Sequence, residues 1–241
     1  MRSPGQPPRS KATAGFTLLE LLVATAIVGV LISAIVVLTG GFLRYSGRVS
    51  TINDRLAELS DASGYIATNV RGAMQVIGGG ASSVDITADG NTFTCSTTSV
   101  DGPCIALVVP VVDRTTTASD IVGFNLLAYR VIPLSAWDAD PGLRPGWNGV
   151  DTPLMLEYRV SLCTGCSTPP VVPAAVSAGS SSLIIPDLFL EDNAGVAVQP
   201  FQVFLGTARM SVTLRSRGVG REQDVTVPAD GPLVLTVVRR P

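Results

Sequence analysis

Apolar residues first run without a break and then recur at helical spacing, and the change between the two patterns divides the chain. Leu21 to Leu38 is a stretch of 18 residues without a single charge. Counted from Phe16, the 23 residues to Leu38 make a helix of roughly 34 Å at ~1.5 Å per residue, against a bilayer hydrocarbon core of ~30 Å. A helix that is apolar on every face has no solvated side, so residues 16–39 are predicted to span a membrane. Beyond Gly40 and Gly41 the stripe positions fall three or four apart: Phe42, Tyr45, Val49, Ile52, Leu56, Leu59, Ser63, Ile66, Val70, Ala73 and Ile77, all apolar but Ser63. Arg44, Arg48, Asp54, Arg55, Glu58, Asp61 and Arg71 fill the other face, which predicts an amphipathic helix over residues 40–77. Its stripe needs a sheet to lie against. A coiled coil is the alternative, but fewer than six heptads joined directly to a head favour packing within the chain. Gly78, Gly79 and Gly80 then end the helix.

From residue 81 to 241 the pattern shortens to β segments separated by Pro, Gly, Ser and Asp. The segments are Ser83–Thr87, Ile105–Val112, Ile121–Ile132, Leu154–Leu162, Gln202–Phe204, Arg209–Arg215, Asp224–Val227 and Leu233–Val238. Met210 to Arg215 alternates most clearly and reads as a half-buried strand. Residues 135–151 and 167–182 are rich in small residues and Pro and read as long surface loops. The predicted fold class is therefore α+β: a long N-terminal helix, half membrane-spanning and half amphipathic, packed on an antiparallel β-sheet head.

Composition narrows the chemistry. With 46% hydrophobic and 15% charged residues, the 241-residue chain is too apolar to be disordered. Seventeen basic and 19 acidic residues leave a net charge of −2 and no broad cationic field for a nucleic-acid backbone. There is no His, and the single Lys is Lys11. These absences remove His acid–base catalysis, His metal ligands, a Lys Schiff base and the P-loop Lys, and they argue against an enzyme. Neither a cofactor nor a metal is expected.

Arg2, Arg9 and Lys11 precede the apolar run, as in a secretory signal, but the run exceeds an ordinary signal core and no small-x-small cleavage site follows it. Glu20 is the other anomaly, a carboxylate set immediately before the uninterrupted apolar stretch. The segment Gly15-Phe16-Thr17-Leu18-Leu19-Glu20-Leu21-Leu22-Val23-Ala24 closely resembles the processing and assembly motif of type IV pilins and pseudopilins. That resemblance implies a prepilin peptidase at the cytoplasmic membrane face, which cuts after Gly15, removes the leader 1–15 and methylates the new terminus at Phe16. It also implies that the apolar helix first anchors the subunit in the inner membrane and later packs with other pilins or pseudopilins in a filament core. An assembly ATPase and an inner-membrane platform protein are then indirect partners, and the head is extracytoplasmic, finally at the cell surface or in the periplasm. Glu20 is the assembly residue on this reading. Residues i and i+4 share a helix face, so the carboxylate lies near the amine freed at Phe16 or that of a neighbouring subunit. Pairing offsets the several kcal/mol that an isolated carboxylate costs in apolar surroundings.

Charge alone orients the helix poorly, because Arg44, Arg48 and Arg55 balance the three basic residues upstream; the resemblance places the leader in the cytoplasm. Within the family, residues 65–76 and the ending Val237-Val-Arg-Arg-Pro are similar to a W-type minor pilin or to the J-type pseudopilin of type II secretion. The implied role is a minor subunit that initiates, caps or decorates a pilus used for adhesion, twitching or DNA uptake. The alternatives are a secretion pseudopilin or, from another class, a membrane-anchored adhesin or ligand-binding β domain. Many major pilins carry Pro in the membrane stretch where this chain has Val37.

Four cysteines in a segment assigned to the outside favour disulfides. Three pairings exist; Cys95 with Cys104 and Cys163 with Cys166 close local loops, whereas a long-range pairing would constrain the unfolded chain more. The Cys163–Cys166 spacing also fits a redox dithiol, but Pro169 and Pro170 disfavour the helix such a site begins. A four-Cys zinc site has only one arm of suitable spacing. Asp138, Asp140 and Gly142 loosely suggest a calcium loop, with Gly149 where the bidentate Glu would stand, and a solvated turn is the default. Trp137 and Trp147 flank that turn, as an adhesive patch or, more commonly for Trp, as core and loop anchors.

Overall fold

The structure, a computed structural model, describes residues 17–79, 82–99, 102–113, 115, 120–137, 152–179, 181–191, 194–204, 209–219, 224–229 and 232–238. Its first element is helix α1, Leu18–Gly72. Strands follow as β1 Gln75–Ile77, β2 Val84–Ala88, β3 Asn91–Cys95, β4 Cys104–Val112, β5 Ile121–Pro133 and β6 Pro153–Thr164. Next come β7 Ala175–Ser177, β8 Ser181–Ile185, β9 Phe201–Phe204, β10 Arg209–Leu214, β11 Ser216–Val219, β12 Asp224–Val227 and β13 Leu233–Val238. The architecture is α+β, one long apolar N-terminal helix with antiparallel and mixed sheets. The chain divides into two compact units, Met1–Gly47 and Arg48–Pro241.

In the first unit the described helical residues are exposed almost throughout. In the second, a five-stranded antiparallel sheet runs in the order β1-β4-β5-β6-β8 and is covered on both faces. Ile105 and Leu107 of β4, Leu127, Tyr129 and Val131 of β5 and Met155 of β6 meet Leu59, Ala62, Ile66, Ala67 and Val70 of α1. Met210, Val212 and Leu214 of a second sheet, β13-β10-β9, join the same cluster. The alternate residues, among them Ala106, Phe124, Leu126 and Leu156, meet Val84, Ile86 and Phe93 of the third sheet, β3-β2-β7. With both faces covered, β4 and β5 read as continuous apolar runs. Each fully buried Leu or Ile here, such as Ile66 or Leu107, stabilises by about 1.5–3 kcal/mol.

Several expectations change. The amphipathic helix ends at Gly72 instead of Ile77. Gly weakens the last turn, and the Met74 N–H donates to the Val108 carbonyl at 2.8 Å, so Gln75–Ile77 becomes an edge strand paired with β4. Gly78, at φ +117°, then turns the chain in a conformation that disfavours a side chain. Residues 167–182 hold β7 and the start of β8 instead of one loop, and β7 runs parallel to β2, so the small sheet is mixed. Strand β10 is buried on both faces, with Ser211 and Thr213 as well as Met210 and Val212 out of solvent. The half-buried reading left these small polar side chains wet, whereas β10, paired with both β9 and β13, keeps them out of solvent.

Candidate functional site

The first turn of α1 is organised by its own sequence. The Thr17 carbonyl accepts the Leu21 N–H at 3.2 Å, which makes Thr17 the residue that starts the helix. The Thr17 hydroxyl accepts the Glu20 N–H at 3.3 Å, and one Glu20 carboxylate oxygen accepts both the Thr17 N–H, at 3.1 Å, and the Thr17 hydroxyl, at 3.2 Å. This reciprocal cap satisfies two N–H donors that a helix start leaves open, and it places a carboxylate at the positive end of the helix dipole. This capping role of Thr17 is absent from the expectations above. Its signal, Thr-x-x-Glu ahead of an apolar run, is present in the sequence. Gly15 and Phe16, the expected cleavage and methylation residues, lie outside the described residues.

Downstream of the cap, Leu18, Leu19, Leu21, Leu22, Ile27, Leu31, Ile35 and Leu38 are all more than half exposed. None of the most apolar 18-residue window is buried, and by length and composition the helix can cross a membrane. Thr25, Ser33 and Thr39 do not break this surface, because each hydroxyl donates to a carbonyl of the preceding turn. An apolar surface of this extent requires lipid or another protein around it.

Two polar connections fix the later turns of α1 to the head. Arg55 donates to Asp187 at 2.7 Å and to Glu58 at 2.8 Å, while Thr152 donates to the second Asp187 oxygen at 3.1 Å. The Ser216 hydroxyl donates to the Asp187 carbonyl at 3.2 Å, holding that residue at φ +49°. Further along, Asn69 donates to the Tyr129 hydroxyl at 2.7 Å, and Arg159 donates to Glu157 at 3.0 Å and to the Tyr65 hydroxyl at 3.1 Å. Burial, then the negative Glu157 beside it, pushes the Tyr129 phenol far above its ordinary range, and the same two causes raise Tyr65. Burial works against the Arg159 charge, but Glu157 outweighs it and holds the guanidinium above its usual value. The helix-to-head pairs Arg55–Asp187, Asn69–Tyr129 and Tyr65–Arg159 join residues 60 to 132 positions apart, so no local pattern announces them.

Cys95 is bonded to Cys104 with Cα atoms 4.9 Å apart, and Cys163 to Cys166 at 6.2 Å. The first bond is buried and joins the end of β3 to the start of β4; the second closes the turn after β6. Trp137 is buried against the face of the main sheet opposite α1. Asp138, Asp140, Gly142, Trp147 and Gly149 lie outside the described residues. Among the described residues no group of three or more His, Cys, Asp or Glu side chains is placed to hold a metal.

Residues 10–36 match the family model described as the prokaryotic N-terminal methylation motif. The matched segment contains Gly15, Phe16, Thr17 and Glu20 and runs into the exposed apolar helix, and it supports a type IV pilin-like family for the chain, whose members are structural filament subunits. No curated protein and no solved structure matches the chain.

Proposed function

We propose that the chain is a minor pilin, stored in the inner membrane by its apolar helix and assembled into a type IV pilus that it helps to initiate, cap or decorate. The observation that carries this reading is the methylation motif at residues 10–36 set directly on a helix whose apolar surface is uncovered. Prepilin peptidase cuts after Gly15 and methylates Phe16. The free amine then lies one residue before Thr17, within reach of the Glu20 carboxylate in the same chain or in a neighbour. Moving the helix from lipid to a filament core exchanges one apolar setting for another, so helix packing and the Glu20 pairing favour the ordered state. The head remains outside the cytoplasm with its two disulfides, and the assembly ATPase and platform supply the work, since no nucleotide motif is present in the sequence. Intact-mass and N-terminal measurement on native protein tests the reading directly. Loss of residues 1–15 with one methyl on Phe16 is expected, and a native chain that keeps its first fifteen residues overturns it.

A further inference from the structure

We propose that the head binds an extended, uncharged polypeptide segment in the groove between β1 and the proline-rich strap that follows β6. Strand β1 is an edge of the five-stranded sheet, with β4 on one side and no strand on the other among the described residues. Opposite it, residues 169–174, Pro-Pro-Val-Val-Pro-Ala, form the second wall of a cavity of about 500 Å³, whose near wall includes Gln75 and Ile77.

Three features fit this groove to a strand from another chain. The strap is held at both ends: the Cys163–Cys166 bond closes the turn before it, and at its far end the Ala174 carbonyl accepts the Asp85 N–H at 2.8 Å, just ahead of the β7–β2 pairing. Pro169, Pro170 and Pro173 have no N–H to offer, and among the described residues no backbone hydrogen bond joins the strap to β1, so the groove stays open beside that edge. None of the lining residues carries a charge, which suits an occupant that is neutral over the stretch it buries. Val172 is turned inward onto the core, whereas Val171 stands 93% exposed at the rim, where an entering chain would cover it. Such an occupant adds a short strand to the sheet: backbone pairing with β1 supplies the attraction, and the neutral walls select against charged sequences. The three residues of β1 span about 10 Å at ~3.3 Å per residue, so three or four residues of the incoming chain are read. A strap pinned in advance lowers the ordering cost of capture. This binding role uses only residues of the second unit and does not depend on the filament reading.

The test uses the full chain in detergent micelles and the dye-labelled probe acetyl-Thr-Val-Thr-Val-Thr-amide, followed by fluorescence anisotropy. Saturable binding is expected, at least ten-fold weaker when alternate probe amides are N-methylated and at least ten-fold weaker for a Thr-Glu-Thr-Glu-Thr probe. Val171→Asp, at a side chain that touches little else, is expected to weaken the first probe by a similar factor while leaving the circular dichroism spectrum unchanged. Val171→Thr, which adds no charge, is expected to bind like the native chain. Absence of saturable binding, equal affinity for free and N-methylated probes, or native affinity in Val171→Asp overturns the proposal and leaves the strap as a shield for the β1 edge.

Discussion

Replacing Asp187 by Asn tests how firmly the head holds the helix that enters it. The substitution keeps shape and tolerates the left-handed backbone at φ +49°, but it removes the negative charge that Arg55 meets at 2.7 Å. Breaking a buried ion pair costs about 3–5 kcal/mol. Two observations reduce that figure: the Arg55 side chain is 19% exposed, and it keeps Glu58 at 2.8 Å. One charge-assisted hydrogen bond, about 1.5–3 kcal/mol, is the better measure, so a loss of about 2 kcal/mol is expected. For a chain of this size that corresponds to a fall of roughly 4–8 °C in Tm. Asp187→Ala should cost about 1–2 kcal/mol more, because Ala is strained in the left-handed region and leaves the Thr152 hydroxyl unmatched. Denaturant titration of the detergent-solubilised chain, followed by tryptophan fluorescence to which the buried Trp137 contributes, measures all three proteins. In a double-mutant cycle Arg55→Met and Asp187→Asn should be non-additive by 1 kcal/mol or more. A cost below about 0.5 kcal/mol for Asp187→Asn, or additive single changes, would refute the reasoning.

Thr17→Val removes the reciprocal cap and should cost the helix start about 1 kcal/mol, read as faster amide exchange at Leu18 to Leu21. Thr17→Ser should restore protection, and equal exchange in Val and Ser variants would show that the cap is not what holds the turn. Gly123→Ala should destabilise by about 2 kcal/mol or more, because the added methyl would meet the Cys163 carbonyl oxygen, which is backbone and cannot step aside. Gly64→Ala, on a helix surface with nothing within 4 Å, should instead stabilise by about 0.8–1.0 kcal/mol, so equal signs in the two variants would contradict the geometry. Tyr129 sits above its unfolded value of 10.0, so its contribution is complete below that pH and is lost as pH rises beyond it. Stability should therefore fall above about pH 10 with a steeper slope in the native chain than in Tyr129→Phe, as measured by denaturant midpoints across the alkaline range.

The N-terminal part of this molecule was the most legible because its constraints are local. An uninterrupted apolar run, a carboxylate ahead of it and the Gly15–Phe16 pair all lie within one short segment, and the cap at Thr17 was equally readable from its spacing to Glu20. The eight β segments also lie where alternation and β-branched residues placed them. The strands that sequence did not mark, β1, β3, β7, β8 and β11, are three to five residues long and owe their conformation to a partner: β1 to Val108 and Leu107, β7 to Asp85 through Thr87. Intrinsic preference over so few residues is weaker than one neighbouring ladder. The Arg55–Asp187 and Asn69–Tyr129 contacts were hidden for the same reason, since only the closed fold brings them together.

The way Leu59, Ala62, Ile66 and Val70 are shared with the main sheet bears on how the protein can be divided for study. A fragment beginning at residue 81 would strip those side chains from Ile105, Leu107, Tyr129 and Met155 and lay a greasy trough open to water. Such a fragment would clump instead of dissolving, and pull-down or adhesion assays made with it would report stickiness, not biology. A version that keeps this trough covered has to begin ahead of Ile52, carrying its own stretch of rod as an internal wall.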